Sequence, residues 1–341
     1  MKKRLKFSVP DIQTYVYELY PLGIMDANGD EYKEWMLSNY VQLNSHDDII
    51  TEKEVFLAFY DDVGMKSPFL KTQHFSWSIM SQYQLDFVEF FKMNINLGCY
   101  LYFKVDEYYI PNRYAYNKYR YIHDIMIIGY DENNFIVLGY NNKGKFSEMK
   151  IPFFVFMDAL TSNTADINKN EWQDDIYFIK YISADYKFNI NAVKFALYDY
   201  LNSISTIEKN KRFSSPLKNT VYGLRVYDKV VEYLEIIKTQ GNVFWGGENI
   251  DNRIFRIIME HKKLMLERIK LINIRYGGYD DIYNMYIAVE RMAQSLHLLA
   301  VKYQITGDKK IVDKLIELIK RIKHDDEKIL GELYKRIQYV D

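Results

Sequence analysis

The residue best placed to do chemistry is His123, which opens the run His123-Asp-Ile-Met-Ile-Ile-Gly-Tyr-Asp131. A histidine at a strand end can take a proton from an attacking group, provided a carboxylate or amide holds its other ring nitrogen. The apolar run Phe135–Tyr140 returns beside it and leads into Asn141 and Asn142, residues of a type able to brace an imidazole. A histidine hydrogen-bonded to nearby backbone accounts for the same spacing. Upstream, Asp106, Tyr108 and Tyr109 precede Pro111, whose fixed φ starts a loop over Glu107–Tyr121. Its tyrosines read equally as the aromatic wall of a cleft or as a lid packed on the domain.

The elements that must position these residues follow from hydrophobic period and punctuation. Cys99–Asp106 alternates aromatic and β-branched residues and predicts a strand. His123–Tyr140 predicts a hairpin around a turn at Asp131–Asn134. Ser81–Gly98 predicts a helix with Leu85, Val88, Phe91 and Ile95 on one face, stopped by Gly98, and Asp30–Leu43 shows helical spacing in Trp35, Met36 and Tyr40. Trp172–Ser183 reads as a closing strand. After about Tyr186–Ile190 the pattern turns helical: Asn191–Ser203, Asn219–Lys238, then Asp251–Arg275, Asp280–Gln304 and Asp308–Tyr339, each of the last three with Asp at its start. The expected fold class is α+β, with a mixed domain over 1–186 and an all-α helical bundle over 187–341.

The stretch "LGCYLYFKVDEYYIP", followed by "YIHDIMIIGYDE" and "FIVL", resembles the butirosin-biosynthesis-protein-H type of papain-like, C39-peptidase-like domain. The resemblance is concentrated in Leu97–Phe146 and extends weakly through the first half. It implies a papain-like N-terminal domain and a role in natural-product assembly: transfer of an acyl group from a carrier-protein thioester to an amine. By the same resemblance His123 is the catalytic histidine, and Asn141, one place beyond the end of the returning strand, is its orienting residue. The family's nucleophilic cysteine sits near the N-terminus, where a helix start lowers the thiol pKa. The corresponding region here, Asp11–Met25, holds no cysteine and offers only Thr14 and Tyr15. Cys99, the single thiol of the chain, lies within the motif but not at the nucleophile's place; a strand thiol of this kind reads as a small buried hydrophobe.

Bulk properties narrow the function classes. The 341 residues carry 45 basic and 46 acidic side chains, so no basic excess points to nucleic acid. One cysteine excludes an intramolecular disulfide and suits a reducing, cytoplasmic setting. No apolar run of transmembrane or signal-peptide length is present, so no membrane partner is expected. No motif calls for a cofactor or metal: His46-Asp47-Asp48 lacks further placeable ligands, His261 faces Met265 rather than a second histidine one turn on, Glu290 and Arg291 read as an ion pair, and Phe244–Asn249 reads as an interhelical turn. Two functions follow. One is an acyl- or amide-transfer protein of peptide- or aminoglycoside-type biosynthesis, taking a small-molecule or peptide substrate and a carrier-protein thioester. The other is a non-catalytic scaffold of the same fold that binds a carrier protein or a synthetase domain.

Overall fold

The computed structural model describes residues 2–59, 64–162, 174–206, 219–241, 243–244 and 250–340. Along them run β1 (Lys3–Arg4), α1 (Val16–Asp26), α2 (Tyr32–Asn39), β2 (Leu43–His46), α3 (Ile49–Glu52), β3 (Ala58–Phe59), β4 (Leu70–Ser76), α4 (Trp77–Met80), α5 (Phe87–Asn96), β5 (Cys99–Asp106), β6 (Ile122–Tyr130), β7 (Asn134–Tyr140), β8 (Phe146–Pro152) and α6 (Phe153–Ser162). Then follow β9 (Asp175–Tyr181), α7 (Ile190–Asn202), β10 (Thr220–Tyr222), α8 (Val226–Gln240), α9 (Asn252–Tyr276), α10 (Asp280–Thr306) and α11 (Lys310–Ile337). The chain divides into two units, Met1–Tyr32 with Gly64–Asp185, and Lys33–Val63 with Tyr186–Asp341. A contiguous first domain over 1–186 therefore misplaces one segment: Lys33–Val63 belongs with the second unit.

The first unit is built on an antiparallel sheet in the order β4-β9-β5-β6-β7-β8, with β1 added on β6. Successive side chains of a strand point to opposite faces, and this decides what each face meets. Leu101, Phe103 and Val105 of β5, Ile125 and Ile127 of β6, and Phe135 and Val137 of β7 share a core with Phe91 and Ile95 of α5 and Phe156 and Leu160 of α6. The alternate residues meet α1: the Tyr20 ring packs edge-on against Tyr102 at 5.3 Å, and its hydroxyl donates to the Leu138 carbonyl at 2.9 Å. The hairpin turn closes because Asp131 Oδ1 accepts from the amides of Asn133 and Asn134. Helix α5 starts later than its period implies. Asp86 caps it by accepting from the Glu89 amide at 3.1 Å, which leaves Leu85 exposed before the helix. Gly98 turns the chain at φ +87° into β5. The closing strand runs Asp175–Tyr181; Trp172 and Gln173 lie outside the described residues.

The second unit is mainly helical but not all-α, since β10, β2 and β3 form a small antiparallel sheet. The start of the expected helix Asn219–Lys238 is strand β10, and α8 begins at Val226. Most of Phe244–Asn249 lies outside the described residues. The five helices α7–α11 meet on one carboxylate. Asp326 of α11 accepts from Tyr200 of α7, from Lys262 Nζ of α9 at 2.6 Å and from Tyr286 of α10. Tyr227 of α8 joins through the Tyr200 hydroxyl at 3.0 Å. His261 Nε2 lies 2.7 Å from the Val41 carbonyl, so it donates there, and Nδ1 accepts from Lys262 at 3.0 Å. All of these side chains are fully buried. Burial pushes the Lys262 ammonium below its usual range, against the opposing pull of Asp326. Among the described residues no helix is long and apolar enough to cross a membrane.

Removing one partner of such a buried pair strands the other charge, whereas replacing both by apolar groups does not. Asp326→Ala should lower the stability of the chain by about 3–5 kcal/mol in urea titrations. The double variant Lys262→Met with Asp326→Leu should recover only part of that loss, because the Tyr200 and Tyr286 hydroxyls and His261 Nδ1 stay buried without those partners.

Candidate functional site

The site is assembled at the end of β5, in the Glu107–Tyr121 connection and at the start of β6. Asp106, the last residue of β5, is fully buried and ties the two ends of the connection together. Its carboxylate accepts from the amides of Tyr108 and Tyr121, each at 3.1 Å, and from Arg120 Nε at 2.9 Å. Arg120 continues to the Ser162 carbonyl at the end of α6, at 2.7 Å. Every one of these bonds closes the loop, so Asp106 is a structural tie. Beside it, Tyr108 and Tyr109 pack ring edge to ring face at 5.2 Å, and the Tyr108 carbonyl accepts from the Asn117 amide. Tyr109, Tyr114, Tyr116, Tyr119 and Tyr121 all expose a third or more of their surface. These five rings are open to solvent along the connection.

His123 pairs with Val105 across β5 and β6. It shares the face of Ile125 and Ile127 and so lies on the α5–α6 side of the sheet. Its side chain is 29% exposed, and the Tyr121 ring stacks on it nearly parallel, at 5.2 Å and 19°. Nδ1 lies 2.9 Å from Glu107 Oε1 and 2.8 Å from Arg113 Nη2. Glu107 and Arg113 are themselves buried and ion-paired, with Arg113 Nε donating to Glu107 Oε1 at 2.8 Å. Burial acts to raise the Glu107 pKa, but the His123 hydrogen bond and the Arg113 charge outweigh it and hold the carboxyl below its usual range. An ionised carboxylate therefore faces the imidazole, while Nε2 makes no hydrogen bond among the described residues. This is the arrangement of a general base: one nitrogen braced, the other free.

The other expected site residues lie elsewhere. Asn141 does not brace His123. Its Oδ1 accepts from the amides of Lys143 and Lys145 at 2.9 and 3.1 Å, and its Nδ2 donates to Ser147 Oγ at 3.2 Å, which closes the turn between β7 and β8. Cys99 begins β5, six residues before Val105, a separation of about 20 Å along a strand. Its half-buried thiol is pushed up by burial, against the pull of Lys180. Thr14 and Tyr15 are buried at the entrance to α1, near the end of β7, where Tyr140 donates to the Gln13 carbonyl at 2.8 Å. Since α1 covers the face of Tyr102 and Asp124, Thr14 and Tyr15 are not brought together with His123. His46, Asp47 and Asp48 are spent locally: His46 sits by the Glu54 carbonyl, Asp47 pairs with Lys229 and Asp48 caps α3. Among the described residues no group of three metal-ligating side chains gathers.

Sequence reasoning passed over Glu107, Arg113 and Gly139. The one signal was Gly139, a glycine inside the strand Phe135–Tyr140. Such a glycine marks a close approach, and here a Cβ would stand 2.0 Å from Arg113 Nη1.

Because the folded-state pKa of Glu107 is depressed, its stabilising contribution is complete above the unfolded value of about 4.3 and is lost as pH falls through the folded value. Glu107→Gln leaves Arg113 buried without a counter-charge and should be destabilised at pH 7. In urea titrations between pH 7 and 3, the gap between wild type and Glu107→Gln should narrow as the pH drops below about 4. A gap that widens toward acid would contradict the ionised carboxylate.

No protein-family model matches the chain and no curated protein matches it, so the chemistry of the site has to be argued from its own geometry.

Proposed function

We propose that the first unit is a papain-like acyl- or amide-transfer domain of natural-product biosynthesis, acting on a carrier-protein thioester. The observation that carries this reading is the half-exposed His123 imidazole with an ionised, buried Glu107 against Nδ1. The antiparallel sheet, the helix α1 on one of its faces and a histidine opening a central strand are in keeping with such a fold. With Cys99 about 20 Å away along β5, the transfer is direct. The nitrogen of an acceptor amine attacks the thioester carbonyl, His123 Nε2 takes the proton from that nitrogen, the C–N bond forms and the C–S bond breaks. The same proton then neutralises the departing thiolate. Glu107 stabilises the imidazolium between the two proton transfers. The exposed tyrosines beside His123 offer an apolar, hydroxyl-bearing wall for substrate.

The second reading, a non-catalytic scaffold that binds a carrier protein or synthetase domain, is favoured by one specific feature. The helix start that offers a nucleophile in such folds covers the face of the sheet opposite His123.

Transfer assays with acyl-carrier thioesters and a panel of amines separate the two. His123→Ala should lower transfer by about 10²–10⁴-fold with the fold intact by circular dichroism. Cys99→Ser, Asn141→Ala and thiol alkylation should leave it unchanged. Stable carrier binding with no transfer from any thioester would establish the scaffold instead.

A further inference from the structure

Tyr121 is 44% exposed, so burial of its ring does not account for its place. Its backbone is nevertheless fixed at both of its polar groups. The amide donates to Asp106 Oδ1 at 3.1 Å, and the carbonyl accepts from the Glu107 amide at 2.8 Å, next to the pairing of Asp106 with Ile122. Tyr121 and His123 are two apart on extended chain, so their side chains leave it on the same side. The two rings lie nearly parallel, with centroids 5.2 Å apart and planes at 19°. Tyr121 in turn meets Tyr119 edge to face at 6.3 Å, and Tyr119 meets Tyr114 in the same manner at 6.3 Å. The exposed rings thus support one another in a row that ends on the imidazole. The contacts of Nδ1 with Glu107 Oε1 at 2.9 Å and Arg113 Nη2 at 2.8 Å hold one atom at the edge of that imidazole. They leave the ring able to tilt about that atom. A second ring laid on its face removes the tilt.

We propose that Tyr121 is a positioning residue: its ring, fixed by Asp106 and the Glu107 amide and backed by Tyr119, confines the His123 imidazole to one rotamer. The inference deepens the transfer reading above and rests on it for its catalytic meaning. A proton acceptor has to stand in line with the attacking nitrogen. The staggered χ1 wells lie about 120° apart, so a jump between them takes Nε2 out of reach. The stack also sets the negative face of an aromatic ring against the imidazolium that forms between the two proton transfers. An aliphatic side chain of similar size offers neither a flat face nor that charge distribution. The role belongs to the ring, so phenylalanine can serve in place of tyrosine. It also gives a use to the spacing Tyr119, Tyr121, His123, in which every second residue carries a ring.

The test reads the three-bond NMR couplings from the His123 ring carbon Cγ to its own amide nitrogen and carbonyl carbon, which report the χ1 populations. Wild type and Tyr121→Phe should each show a single rotamer. Tyr121→Leu should show averaging over several, with an unchanged circular dichroism spectrum. In transfer assays Tyr121→Phe should stay within about threefold of wild type, and Tyr121→Leu should lose about 10-fold or more in kcat with KM unchanged. Averaged couplings in wild type would overturn the proposal, as would a folded Tyr121→Leu that keeps a single rotamer or transfers as fast as wild type. If Tyr121→Leu does not fold, Tyr121→Ala is read in its place, and the wild-type couplings decide alone if neither folds. A single rotamer that depends on the ring, in a protein that transfers no acyl group, would uphold the role of Tyr121 and remove the transfer reading, so the two claims fail separately.

Discussion

A carboxylate buried beside an arginine is tolerable only when the two are paired and their remaining hydrogen-bonding capacity is spent. The Glu107–Arg113 pair meets most of that condition by enlisting His123 Nδ1 and the Asp124 carbonyl, with Nη1 left over against Gly139. The rest of the site follows from it. The imidazole is held at the mouth of β6 because its inner nitrogen belongs to the pair. The connection from Glu107 to Tyr121 keeps its path because Asp106 bonds both of its ends.

Strand alternation supplies the second constraint. Val105 and His123 sit opposite each other on the face packed by α5 and α6, while Tyr102 and Asp124 sit on the face packed by α1. A one-residue shift in the register of β6 would exchange the two and turn His123 toward α1. The register instead follows the core, since Ile125 and Ile127 must be buried against Phe91 and Phe156. Asp11–Met25 holds no cysteine, and His123 faces away from α1.

Much of the scaffold was legible in local pattern. The alternation of Cys99–Asp106 is β5 residue for residue, and Asp131 marks the hairpin turn because its side chain binds the amides that follow. The three long C-terminal helices are readable from period, from aspartates near their starts and, for the first two, from the closing Gly277 and Gly307. What local pattern could not carry was partnership. Nothing in Lys33–Val63 announces that it belongs with residues beyond Tyr186. The start of α5 was decided by the Asp86 cap rather than by the apolar stripe that extends back to Leu85. At the site, His123 is legible as a base, but the returning strand offers only Asn141 and Asn142 as its partner. Glu107 and Arg113 sit in a loop among tyrosines, where a charged residue reads as solvated surface; only tertiary burial makes them a pair. Gly139 is the local signal, because a glycine inside a strand marks a place where something approaches closely.

The central claim is that the His123 imidazole opens to solvent through Nε2 while Nδ1 is engaged by the buried pair. Carbethoxylation of the native protein, with the adduct mapped by mass spectrometry and its ring position resolved by NMR, tests this most directly. The account predicts modification of His123 at Nε2 under conditions where the fully buried His261 stays unmodified. An adduct on Nδ1, or a His123 that reacts only once the chain is unfolded in urea, would contradict it.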